Sequence, residues 1–119
     1  MDAANIIRED YEDRRDALRQ SIYNMTVKID TDPNTSQDGL LLDVSRTGLR
    51  FRTLKNIPCG SSLVVHPPAG VDLPAISATV LRVKVVDGHD GSSFECGVRF
   101  EDAEELRRHN WWLQLRRRR

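Results

Sequence analysis

Cysteine is scarce in this chain: Cys59 and Cys96 are the two present in 119 residues. They form no C-x-x-C pair and have no histidine at metal-ligand spacing, which excludes a disulfide scaffold and a structural zinc site. Each reads as a small buried or half-buried side chain. Aromatic residues make up 6%, and no strand carries them in the pattern that stacks single-stranded bases. No apolar run is long enough to span a bilayer. The opening Met1-Asp2-Ala3-Ala4-Asn5 is acidic and lacks the apolar core of a signal peptide. A cytoplasmic location is therefore expected. An excess of one charge is also missing, since Lys plus Arg number 18 and Asp plus Glu number 18. That balance argues against a protein that coats nucleic acid. His66, His89 and His109 fall at a strand end, in a loop and on a helix, away from any nucleophile motif. No carboxylate pair has helical metal spacing. An enzyme is not expected, nor a metal or a catalytic cofactor.

What is present suits one small domain with one core. Residues 1–13 read as an arm or a short helix, with Ile6, Ile7 and Tyr11 near one face. From Tyr23 the period is two: Tyr23, Met25, Val27 and Ile29 alternate with polar residues, as on a half-buried strand. Turn chemistry follows at Asp32-Pro33-Asn34-Thr35-Ser36. Leu40-Leu41-Leu42 then enters a core, and Ser45 to Gly48 makes a tight turn. Beyond it Leu49, Phe51 and Thr53 face one way, Arg50 and Arg52 the other. A short strand is expected at Leu63-Val64-Val65 and a longer one from Ala75 to Val86. The apolar positions of the longer strand slip phase near Leu81, as a β-bulge would cause. Phe94, Cys96, Val98 and Phe100 mark a last strand after the hairpin loop 87–91. Asp102 with Glu105 resembles a capping box for a helix over about 102–115, with Leu106, Trp112, Leu113 and Leu115 inward and Trp111 on the flank. Six short strands with turn signals predict a small antiparallel barrel or sandwich with one C-terminal helix across it.

Two segments carry the chemistry. Arg14, Arg15 and Arg19 form a cluster. Guanidinium groups are planar forks that pair with phosphate, donate to guanine O6 and N7, and stack on bases. The plain alternative is a solvated helix face in which Glu12 and Asp16 pair with the arginines. Asp43-Val44-Ser45-Arg46-Thr47-Gly48 is the second segment. Asp43 can accept from guanine N1 and N2, Ser45 offers a hydroxyl in a turn, and Gly48 allows a positive φ or a close backbone approach. The plain alternative here is an ordinary turn between strands.

Taken together, R-R-x-x-x-R at Arg14, Arg15 and Arg19 and D-x-S-x-x-G at Asp43, Ser45 and Gly48 resemble the two motifs of the PilZ family, bacterial receptors of cyclic di-GMP. Gly60, the run Ala78–Arg82 and the run Cys96–Phe100 also look like the family pattern, so the likeness covers about residue 14 to the C-terminal helix. The resemblance implies a PilZ-like, six-stranded antiparallel split barrel over about 22–100 with a flexible N-terminal arm, within one domain spanning 14–119. It implies that Arg15 and Arg19 clasp phosphate and guanine, that Arg14 adds a contact, and that Asp43 and Ser45 bond a guanine while Gly48 holds the turn. Arg82 and Arg99 are further candidates as late-barrel arginines, and Arg46 and Arg50 are candidates by proximity. The resemblance also implies an intercalated pair of ligand molecules, since family members with a charged residue such as Arg14 before R-x-x-x-R often bind one. Asp16 departs from the pattern by bringing negative charge into a phosphate site.

A receptor of this kind relays its ligand to an effector protein, with motility, exopolysaccharide, biofilm or virulence outputs implied. Trp111 and Trp112 are candidates for the effector surface, because Trp is enriched at binding hot spots. One of the two is expected in the core and one exposed. A module of the same fold that binds protein without nucleotide is the alternative. Arg116 to Arg119 read as a solvated tail or a partner-facing patch, not as a nucleic-acid site.

Overall fold

The computed structural model describes residues 25–32, 34–89, 91–101 and 104–116. The expectations for Arg14, Arg15, Arg19, the N-terminal arm, Asp102 and Arg117 to Arg119 fall outside those residues. Among the described residues six strands are formed: β1 Thr26–Asp32, β2 Thr35–Val44, β3 Gly48–Thr53, β4 Ser62–His66, β5 Ile76–Gly88 and β6 Gly91–Phe100. A helix, α1, spans Glu105–Arg116. Every strand pairing is antiparallel, and the ladder closes in the order β1-β2-β3-β6-β5-β4.

Strand alternation builds the core. Val27 and Ile29 of β1, Leu63 and Val65 of β4, and Ile76, Ala78 and Val80 of β5 are buried between exposed or half-buried neighbours. Leu49, Phe51 and Thr53 of β3 pair with Val98, Cys96 and Phe94 of β6, and Phe100 pairs with Ala78 of β5. The barrel seam joins β1 to β4, where Asp30 accepts a 2.6 Å hydrogen bond from the His66 ring. That bond is the first cause holding the Asp30 carboxyl below its ordinary 3.8, with Ser36 adding to it.

Besides a register slip at the end of β1, between Asp30 and Asp32, two strands each carry one extra residue within the barrel wall. Register slips between Val80 and Arg82 in β5, as the phase change near Leu81 predicts. It slips also between Leu41 and Asp43 in β2, with Leu42 as the extra residue. The apolar run Leu40-Leu41-Leu42 hides that β2 bulge from a reading of periodicity.

The helix packs by Trp111 and Leu115, both fully buried and one turn apart. Trp111 Nε1 donates to the Pro74 carbonyl at 2.8 Å, and its ring lies 6.1 Å from that of Phe100. This corrects the expected face. Trp111 is in the core, Trp112 and Leu113 are half-buried, and Leu106 is exposed. The helix also begins later than expected: Glu104 supplies the first helical carbonyl, accepting from the Arg108 amide at 3.2 Å. Of the cysteines, Cys96 is buried and Cys59 is exposed, so the expected burial holds for one of them. Burial pushes the Cys96 thiol up from its ordinary value.

Candidate functional site

The site begins at the turn between β2 and β3. The Ser45 amide donates to the Gly48 carbonyl at 2.9 Å. Its hydroxyl oxygen accepts from the Gly48 amide at 3.1 Å and the Thr47 amide at 3.3 Å. A short hydroxyl at this position therefore closes the turn itself, as serine does in such loops. Asp43 Oδ1 accepts from the Val44 amide at 3.0 Å. The Phe100 amide donates to the Thr47 carbonyl at 2.8 Å and fastens the turn to the end of β6.

Gly48 has no positive φ; that conformation occurs at Gly60, Gly70 and Gly91. The need at Gly48 is room. A Cβ there would lie 1.9 Å from the Val98 carbonyl oxygen. Of the two roles that sequence suggests for this glycine, close backbone approach is the one found.

A row of residues runs across the outer face of the barrel. Asp43 pairs with Arg50, Arg50 with Gly97, and Gly97 with Arg82. One step along, Gly48 pairs with Arg99. The two bulges create this row. In regular alternation Leu41 and Val80 point inward, so Asp43 and Arg82, two residues on, would point inward as well. The extra residues Leu42 and Leu81 turn them outward. Gly97 contributes no side chain, and the Arg82 Cγ lies 3.5 Å from where a Cβ would stand. The result is an open groove of about 410 Å³ whose lining includes Asp43, Ser45, Gly48, Arg50, Arg82 and Arg99. Leu81 stands 57% exposed at its rim.

The charges of the groove are partly organised. Glu95, 4% exposed, accepts from Arg50 at 3.2 Å and from Arg52 at 3.0 Å. A carboxylate buried under two guanidiniums is expensive to uncover, because losing both would leave its charge buried without a match. It also fixes where Arg50 stands. Arg82 and Arg99 are exposed. Positive charge therefore outweighs Asp43 and Glu95 on this face.

The structure brings together here six of the barrel candidates that the sequence named, Asp43, Ser45, Gly48, Arg50, Arg82 and Arg99. Arg46 is the exception: its guanidinium lies 4.5 Å over the Trp112 ring, and it is not among the groove residues. Glu95, Gly97 and Leu81 were missed. The alternation of β6 does put Glu95 outward, opposite Arg52, which is the signal that could have found it. Among the described residues, no His, Cys, Asp and Glu cluster is disposed to hold a metal ion, and no helix is long and apolar enough to cross a membrane.

The model of the PilZ domain matches residues 13–110. The chain belongs to the PilZ domain family. The matched span contains both arginine and turn motifs. This PilZ chain is also similar in fold to solved structures. The PilZ domain of YcgR from Escherichia coli, solved with c-di-GMP, aligns with a TM-score of 0.57 at 14% identity, over 78% of this chain and 82% of that one. K. pneumonia MrkH aligns with a TM-score of 0.58 at 14% identity, over 76% of this chain and 44% of that one. PlzA of Borreliella burgdorferi, in complex with c-di-GMP, aligns with a TM-score of 0.53 at 12% identity, over 84% and 49%. At such identities the likeness is one of fold. The chain spans less than half the length of MrkH and of PlzA. No curated protein matches the sequence.

Proposed function

We propose that this PilZ chain is a receptor for cyclic di-GMP, and that the nucleotide lies in the outer groove across β2, β3, β6 and β5. One observation carries the reading: Asp43, Arg50 and Arg82 fall in one cross-strand row beside Arg99, although they come from three strands. Such a row offers forks for phosphate and guanine acceptor atoms, with a carboxylate for the guanine N1 and N2 donors. Ser45 and Gly48 act by holding the turn that borders the groove. Arg14, Arg15 and Arg19 form the second half of the site, closing over the ligand from the N-terminal side. A second ligand molecule intercalated with the first is part of the proposal. So is relay of the signal to an effector protein, in the cytoplasm, with no catalytic step. The YcgR and PlzA complexes with c-di-GMP support the choice of ligand by kinship.

Isothermal titration calorimetry with cyclic di-GMP tests the reading. The expected result is micromolar or tighter binding, with two ligands per chain if the pair forms. Arg15→Ala and Asp43→Ala should each weaken binding, since each removes a charge-assisted contact of about 1.5–3 kcal/mol. Absence of heat from the wild-type chain at low salt would overturn the reading, and wild-type affinity in both variants would move the site elsewhere.

A further inference from the structure

The turn that borders the groove has a second face. Ser45, Thr47 and Gly48 line the cavity. Arg46, between them, turns to the C-terminal helix and lays its guanidinium 4.5 Å over Trp112. Arg116 of the helix stacks on the same indole at 4.5 Å. An indole face is the best aromatic partner for a guanidinium. Trp112 presents that face from a fixed base, because its neighbour Trp111 is buried, hydrogen-bonded to Pro74 and packed on Phe100. Phe100 in turn donates its amide to Thr47 of the turn. The contacts therefore form a closed circuit: turn to Trp112 through Arg46, helix to β6 through Trp111 and Phe100, and β6 back to the turn through Thr47.

We propose that Trp112 is a positioning residue for the nucleotide groove: acting through Arg46, it fixes the Asp43–Gly48 turn and couples occupancy of the groove to docking of the C-terminal helix. The proposal rests on the nucleotide reading above. Pinning Arg46 on the indole also keeps its guanidinium out of a groove that already holds Arg50, Arg82 and Arg99. Coupling of this kind is reciprocal. A ligand that prefers the fixed turn tightens helix docking by the same factor that helix docking tightens the ligand. The helix then becomes the part of the domain through which occupancy is felt outside the groove.

The test is a double-mutant cycle read by calorimetric titration of cyclic di-GMP into the full chain. Arg46→Ala and Trp112→Ala should each bind about three- to tenfold more weakly, the range of a lost cation–π contact. The double variant should bind no more weakly than the worse single one, because both remove the same contact. Trp112→Phe, which keeps an aromatic face, should stay close to wild type. Hydrogen exchange of the Thr47 and Gly48 amides, measured without ligand, should quicken in both single variants. Arg46→Ala alters an exposed turn residue and leaves the buried Trp111 and Leu115 packing of the helix in place, so it carries the test if Trp112→Ala melts early. Losses that add in the double variant would mean that Arg46 meets the ligand directly, and would overturn the proposal. Unchanged affinity and unchanged exchange in Arg46→Ala would overturn it as well. A wild-type chain that gives no heat removes the nucleotide reading itself, whereas wild-type binding with unaffected variants removes the coupling alone.

Discussion

Gly48 starts β3 so close to β6 that its missing side chain sets the distance between the two backbones. The atom a Cβ would meet is a backbone oxygen, Val98 O, with the Arg99 Cα next at 3.2 Å. Backbone cannot swing aside as a side chain can. Gly48→Ala should therefore cost about 3 kcal/mol or more of stability, at the upper end of overpacking penalties, and chemical denaturation will measure it. A loss of nucleotide binding in that variant would be secondary to a displaced strand. The role of Gly48 was legible in sequence only as a choice between two, because the decisive neighbour, Val98, is 50 residues away in the chain. The tryptophans were harder. Trp111 and Trp112 are both inside an apolar patch that ends the helix, so two faces are nearly equivalent by pattern. The Pro74 carbonyl, which satisfies the indole N–H of Trp111, decides between them.

At the scale of elements, strands β1, β3 and β6 were readable because their alternation is clean. The β5 bulge was readable because the phase slip leaves Ala78 and Val80 on one count and Val83 on another. The β2 bulge was not, since three consecutive leucines fit either phase. Pairing of β1 with β4 was also beyond sequence, as nothing local links Asp30 to His66. That seam has a pH consequence. The Asp30 carboxyl is held below its ordinary 3.8, chiefly by the His66 hydrogen bond. A depressed carboxyl pKa stabilises the fold above the unfolded value, and the contribution is lost as pH falls through the folded one. Below pH 3.8 the wild-type chain should thus lose stability that His66→Ala has already lost. Urea unfolding across the acid range should give a flatter pH profile for that variant, and parallel profiles would refute the role of the seam.

Over the whole molecule the charges cancel, yet they are not spread evenly. Eighteen basic and eighteen acidic residues leave little net field at a distance. The groove is nevertheless locally positive, with Arg82 and Arg99 exposed beside the Arg50–Glu95 pair. Capture of a nucleotide with two phosphates should accordingly depend on short-range contact. Affinity should fall as salt is raised from low ionic strength past about 0.1 M, where the screening length is about 10 Å. The urea midpoint should move far less over the same range. Salt-independent affinity in calorimetry would mean that the arginines do not grip phosphate. Sequence made both halves of the proposed site visible as candidates, because each is a local motif. It could not bring Asp43, Arg82 and Arg99 to one face, which takes the ladder order β2-β3-β6-β5.

The extra residues Leu42 and Leu81 give that arrangement an arithmetic. Each adds one to the count along its strand, and orientation depends on whether the count is odd or even. Loss of a single residue at either place would leave every arginine and aspartate in the sequence while sending Asp43 or Arg82 toward the apolar interior. The groove is thus specified by parity as well as by residue type. A length change of one is a more radical edit at these two places than most substitutions within the motifs they serve.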